Sequence, residues 1–225
     1  MISENLNIIR GRIETAAGRC GRRAKDIILV CVTKTVNVSC IEEAISAGIS
    51  DIGESYVREA SEKLELIGSR VRWHLIGHLQ TNKVKEAVEI FDLIHSLDSL
   101  RLAEEISARA GKKGLVKEAL IEVKTSAESA KYGVLPDELF RIIEKVARLP
   151  NLKIKGLMTM APFSDKPEDS RPYFKRLKQL FTELSERKIE NVDMRYLSMG
   201  MTQDFEIAIE EGANMVRIGR AIFKE

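Results

Sequence analysis

The sequence predicts an α/β protein built on a parallel sheet, and three observations carry that prediction. Short apolar runs rich in β-branched residues recur near residues 28, 52, 73, 93, 119, 155, 196 and 216. Between them lie segments whose apolar residues repeat at helical spacing. No long Pro/Gly/Ser linker interrupts the alternation. Strict strand–helix alternation calls for parallel strands joined by crossover helices. Eight such units in one chain fit a (β/α)8 barrel, whose usual size is roughly 250 residues. An open doubly wound sheet alternates in the same way, and the pattern alone does not separate the two. The lack of a GxGxxG motif after the first strand weakens the dinucleotide-binding version.

Each element has its own local reason. Leu6, Ile9, Ile13 and Ala16–Ala17 place an extra N-terminal helix ahead of the first strand. Ile28 to Val32 is an unbroken apolar run, as a strand buried on both faces requires, and Lys34 follows it. In "NVSCIEEAISAGI", Ser39 and Glu42 have capping-box spacing and Gly48 can close the helix. "DIGES" is a short strand ending at Glu54; Val57, Ala60, Leu64 and Ile67 then mark a helix that stops at Gly68. "VRWHLIG", "TNKVKEAVEIF", "DLIHSLD", "LRLAEEISARAG" and "LVKEALIEVKT" continue as strand, helix, strand, helix, strand. "LPDELFRIIEKVARLP" is a helix with Pro136 near its start, where a missing N–H costs little, and Pro150 at its end. "LKIKGLMTM" is a strand, and the next helix has Phe174, Leu177, Leu180 and Leu184 on one side. "MRYLSMG", "TQDFEIAIEEG" and "NMVRIG" complete the series.

Composition narrows the function classes. Charged residues make up 31% and apolar ones 44%, an ordinary globular balance. A net charge of +2 with no strongly basic window argues against a nucleic-acid surface. Cys20, Cys31 and Cys40 have neither CxxC nor Cys/His ligand spacing, so they read as reduced thiols and not as a disulfide frame or metal site. The N-terminus lacks a signal-peptide core. No apolar run approaches the ~20 residues of a membrane span. A cytoplasmic protein with no nucleic-acid or membrane partner is expected.

Parallel α/β folds bind ligands at the carboxyl ends of their strands. Those positions are Lys34, Glu54 and Ser55, Gly77 and His78, Ser96, Lys124 and Thr125, Thr159 to Ala161, Ser198 to Gly200, and Arg217 to Gly219. They are rich in polar and small residues, whereas the residues just before them are apolar. Lys34 has two readings: a strand cap whose stem lies on apolar surface, or a Schiff-base nucleophile. The second needs a neutral amine, which an apolar surround and a nearby cation such as Arg217 favour. "YLSMGMTQDFEIAI" and "VRIGRAIF" look like a phosphate cradle: Ser198 and Thr202 offer hydroxyls, Gly200 and Gly219 allow close backbone approach, and Thr202 begins a helix. Thr202 as a plain N-cap, with Asp204 complementing the helix dipole, explains the same residues. His74 and His78 suit a metal pair only on a helix; on a strand they stand roughly 13 Å apart. His74, His95 and Trp73 therefore read as interior residues, and His78 as a pocket residue. Glu54 reads as a carboxylate at the amino end of the following helix.

The motifs "VTKT", "IGESYVRE", "WHLIGHLQTNK", "ESAKYGV", "IKGLMTMAP", "LSMGMTQD" and "MVRIGRAIF" resemble, nearly end to end, those of the pyridoxal phosphate homeostasis protein family, single-domain relatives of the alanine racemase barrel. The resemblance implies one alanine racemase-like (β/α)8 TIM-type barrel of PLP fold type III over residues 1–225, holding pyridoxal 5′-phosphate (PLP) as an aldimine with Lys34. It implies phosphate contacts from Ser198, Thr202 and the backbone around Gly219 and Arg220, with Met199 and Gly200 beside them. Arg217 would face the pyridine nitrogen, where a cation disfavours ring protonation and weakens the ring as an electron sink. Ser55 and His78 complete the expected cofactor site. Ser55 stands where the family usually has asparagine, and Arg220 where it often has threonine. The β-rich second domain that carries the racemases' tyrosine base is not found, so no catalytic residue is assigned and no efficient two-base racemization is expected. The implied role is storage, buffering or delivery of PLP, with effects on amino-acid and keto-acid balance. PLP-dependent apo-enzymes are the implied recipients, and a monomer is expected. The alternatives are a weak racemase or other PLP enzyme acting on a small amino acid, with Tyr56, His78 or Tyr132 as its base, and a barrel for another phosphorylated metabolite.

Overall fold

The computed structural model describes residues 1–126 and 132–223. Its strands are β1 (Ile28–Val32), β2 (Asp51–Glu54), β3 (Arg72–Leu75), β4 (Leu93–Leu97), β5 (Lys117–Glu122), β6 (Leu152–Met158), β7 (Val192–Ser198) and β8 (Met215–Ile218). Every neighbouring pair is parallel, and β8 pairs back with β1 through Ile28↔Met215 and Val30↔Arg217. That closure decides between barrel and open sheet: the strands run in sequence order around a ring and leave no edge. The helices are α1 (Ile2–Arg19), α2 (Val38–Ser46), α3 (Val57–Ile67), α4 (Val84–Ile90), α5 (Leu100–Lys112), α6 (Leu139–Val146), α7 (Arg171–Ser185), α8 (Phe205–Glu210) and α9 (Arg220–Phe223). Among the described residues, no helix is long and apolar enough to cross a membrane.

Two cores form. The larger lies between sheet and helices and takes the apolar stripes foreseen on α1 and α7, including Leu6, Ile9, Ile13, Phe174 and Leu177. The smaller fills the barrel with Val30, Leu93, Leu120, Met158, Tyr196 and Met215. Because side chains on a strand alternate, the residues two positions further on share that inward face. After Leu93, Leu120, Tyr196 and Met215 these are His95, Glu122, Ser198 and Arg217, all buried. A polar layer thus sits on the apolar one, towards the carboxyl ends of the strands.

Three local expectations are corrected. Ser39 and Glu42 do not form a capping box: α2 starts after Asn37 without a side-chain cap, and Glu42 instead accepts from Arg70 across 28 residues. Thr202 does not begin a helix. It lies in a turn, and α8 starts only at Phe205, because Asp204 Oδ1 accepts from Met201 N at 2.7 Å and closes that turn first. On α3 the buried face includes Lys63 while Leu64 is only partly buried.

Candidate functional site

The loop after β1 carries Lys34 and is held from behind. Lys63 Nζ donates to Thr33 O at 2.6 Å, to Glu54 Oε1 at 2.7 Å and to Glu59 Oε1 at 2.7 Å. Glu59 Oε1 also accepts from Thr35 N at 2.6 Å, and Thr35 adopts φ 61°, uncommon for a residue with a Cβ. A buried lysine and two carboxylates of α3 and β2 therefore fix both flanks of Lys34. Glu54 is not a helix-end carboxylate as expected. It is fully buried, and burial raises its carboxyl above the usual range while Lys63 and Thr33 oppose this.

A cavity of about 990 Å³ opens at the carboxyl end of the barrel. Lys34, Ser55, His78, Thr202, Arg217, Gly219 and Arg220 line it, together with Glu122. Lys34 and Arg217 reach it from the adjacent strands β1 and β8. Lys34 is exposed and not fully enclosed, although Val32, Val36 and Ile76 line the same cavity. Arg217 is 3% exposed, and burial lowers its guanidinium to about 10, which leaves it a cation at neutral pH. Gly219 is needed where it stands: a Cβ there would meet Val32 O at 2.9 Å.

Ser198, Met199 and Gly200 do not line the cavity; Ser198 and Met199 are fully buried. The Ser198 hydroxyl is taken by Arg217 Nη1 at 2.6 Å and His95 Nδ1 at 3.1 Å. The positive φ of Gly200, 90°, serves packing, since a Cβ there would lie 2.5 Å from that of Ala208 on α8. Of the residues considered as bases, His78 and Tyr132 stack at 3.6 Å between centroids and line the cavity, with His78 Nδ1 3.2 Å from Asp98 Oδ2. Tyr56 precedes α3, is 63% exposed and does not line the cavity. Most of the "ESAKYGV" motif, residues 128–131, lies outside the described residues.

Sequence reasoning missed three features. Glu122 enters the cavity as a buried carboxyl, which burial pushes up to about 7. Lys63 occupies a core-facing position of α3. His95 does not merely pack but is linked to His74, itself a satisfied interior residue, at 2.9 Å. One available signal was a polar residue in register with apolar inward positions, as in "LIH" of β4 and "LIE" of β5.

Residues 5–225 match the alanine racemase N-terminal domain family. The chain is 44% identical over 223 residues to the pyridoxal phosphate homeostasis protein of Aquifex aeolicus (strain VF5), covering 99% of this chain and 97% of the relative. The corresponding protein of Escherichia coli (strain K12) is 38% identical over 227 residues, with 99% and 95% covered. Among solved structures, PipY of Synechococcus elongatus PCC7942 with PLP bound superposes with a TM-score of 0.87 at 31% identity, covering 99% of this chain and 100% of that one. Alanine racemase of Clostridium difficile 630 superposes with a TM-score of 0.78 at 17% identity and shares the fold; this chain spans 55% of its length.

Proposed function

The chain belongs to the pyridoxal phosphate homeostasis proteins, within the alanine racemase N-terminal domain family, and from that premise we propose that it binds PLP in the barrel cavity through Lys34 and stores, buffers or hands on the cofactor. The observation that carries this is the pairing of Lys34 and Arg217 in one cavity on neighbouring strands. The residues present fit such a ligand. A cavity of this volume suits a small cofactor, and the tight approach of Gly219 to β1 brings main chain to its wall. When bound, PLP supplies an electrophilic carbon and an electron-accepting ring. Lys34 Nζ supplies the amine that attaches it. Arg217 would offer a buried cation to the ring nitrogen and would disfavour its protonation. Thr202, Gly219 and Arg220 would hold the anionic end, with Ser198, Met199 and Gly200 beside them, and Ser55 and His78 would contact the cofactor from the cavity wall. PLP-dependent apo-enzymes are the proposed recipients, and the chain acts as a monomer.

Borohydride reduction of PLP-treated protein, followed by peptide mass measurement, tests the proposal. An adduct on Lys34 that disappears in Lys34→Ala is expected. Protein that yields no adduct, or one unaffected by Lys34→Ala, overturns it.

One observation favours an enzymatic second reading. His78 is paired with Asp98 and stacked on Tyr132 at the cavity, an arrangement able to orient a base. Chiral analysis after long incubation with small amino acids and PLP decides. Turnover above that of free PLP and lost in His78→Asn supports this reading, and turnover equal to free PLP removes it.

A further inference from the structure

We propose that Asp51, His74, His95 and Ser198 are positioning residues, forming a one-directional hydrogen-bond chain through the barrel that holds Arg217 as an oriented cation in the cavity. The links are continuous. Arg217 Nη1 lies 2.6 Å from Ser198 Oγ, Ser198 Oγ 3.1 Å from His95 Nδ1, His95 Nε2 2.9 Å from His74 Nδ1, and His74 Nε2 2.9 Å from Asp51 Oδ1. The two histidines and Ser198 are fully or almost fully buried, so water does not offer them substitutes.

Both ends dictate the same direction. A guanidinium only donates, so Ser198 Oγ must accept from Arg217. An ionised carboxylate only accepts, so His74 must carry its proton on Nε2. Burial pushes the Asp51 carboxyl up, but hydrogen bonds from His74 and Ser50 outweigh this and hold it below its ordinary value. Burial also lowers both imidazoles, His95 strongly, with the charges of Arg72 and Arg217 adding to the effect on His95. A neutral His74 protonated on Nε2 has a bare Nδ1. His95 must then donate to it from Nε2, which leaves the Nδ1 of His95 bare, and Ser198 must donate there. Every proton in the chain points from Arg217 towards Asp51.

The consequence is electrostatic. Each group presents its acceptor side to Arg217 and its donor side away, so three aligned dipoles end on an anion at the start of β2. The guanidinium is also fixed by Nη2 donating to Thr159 O at 2.9 Å. Neutral partners thus hold a buried cation whose ion pair, unlike that of Lys63, is not direct. Reversing the chain would turn the imidazole donors towards Arg217 and loosen its orientation. The consequence for PLP rests on the cofactor site proposed above; the tautomers do not.

Two-bond proton–nitrogen correlation spectra of the 15N-labelled full chain at neutral pH test the inference. His74 and His95 are both expected neutral with the proton on Nε2, in the ligand-free protein and with PLP added. Asp51→Asn removes the obligate acceptor. His95, two links away, is then expected to lose its single tautomer, and PLP to bind about tenfold more weakly, the worth of one hydrogen bond to a charged group; Asp51→Glu restores both. If Asp51→Asn does not fold, Ser198→Ala reports on the same tautomer of His95. An Nδ1-protonated or charged ring in the unmodified protein, or a His95 spectrum indifferent to the substitutions, overturns the proposal. If the unmodified protein does not bind PLP, the cofactor site fails, and the ligand-free spectra still decide the chain's direction.

Discussion

Replacing Glu122 with glutamine is expected to stabilise the ligand-free protein above neutral pH and to change little in acid. Glu122 ends β5 inside the barrel and is 5% exposed. Burial pushes its carboxyl from 4.5 up to about 7; Asp98 adds to the rise, while Arg217 and Lys124 oppose it. Below the unfolded value both states keep the proton and nothing is lost. Between 4.5 and about 7 the unfolded chain is ionised while the folded one is not, so stability falls as pH rises. Above that range both states are ionised and the full penalty is present. At about 1.36 kcal/mol per pH unit, the penalty is on the order of 3 kcal/mol. Glutamine keeps the shape and cannot ionise, so it removes the penalty but retains a buried amide to satisfy. Urea unfolding of both proteins between about pH 4 and pH 9 gives the difference directly, because distant groups cancel between them. Curves that stay parallel across that range would refute the reasoning, and so would a variant that loses stability at high pH.

Lys63→Met leaves Glu54 buried without its cation. A loss of about 3–5 kcal/mol is expected in urea unfolding, along with weaker borohydride trapping at Lys34, because the loop loses its support. Gly219→Ala places a Cβ 2.9 Å from Val32 O, so the β1–β8 junction must open; PLP retained through gel filtration is expected to fall more than the melting temperature does. Leu177→Ala, a fully buried position of α7 remote from the cavity, is expected to cost about 2–5 kcal/mol in urea unfolding. Its borohydride adduct at Lys34 should match that of the unmodified protein.

The strand–helix order was legible because burial on both faces of a parallel strand leaves an unbroken apolar run, as in Ile28–Val32. Lys34, Arg217 and Gly219 were legible for a related reason, since a polar or small residue ending such a run has few structural uses. The helix starts were less so. Ser39 and Thr202 are both good cap residues, yet Asn37 and Asp204 took the boundaries, because turns close on hydrogen bonds that composition does not rank. Ser198 illustrates a different limit. It stands in the motif beside the proposed phosphate-binding loop, but its inward direction gives its hydroxyl to Arg217 and His95.

By itself the sequence determined eight parallel units, their apolar strand runs and the residues at the strand ends. These depend on periodicity and on chemistry within a few neighbours. The tertiary structure decided the closure of β8 on β1 and, with it, which distant residues share the barrel interior. Asp51 and Arg217 lie far apart in the chain and meet only through His74, His95 and Ser198, each on a different strand. A hydrogen bond reaches about 3 Å. Its partners are therefore chosen by how the strands are rolled and staggered, a property of the closed barrel and not of any segment of it.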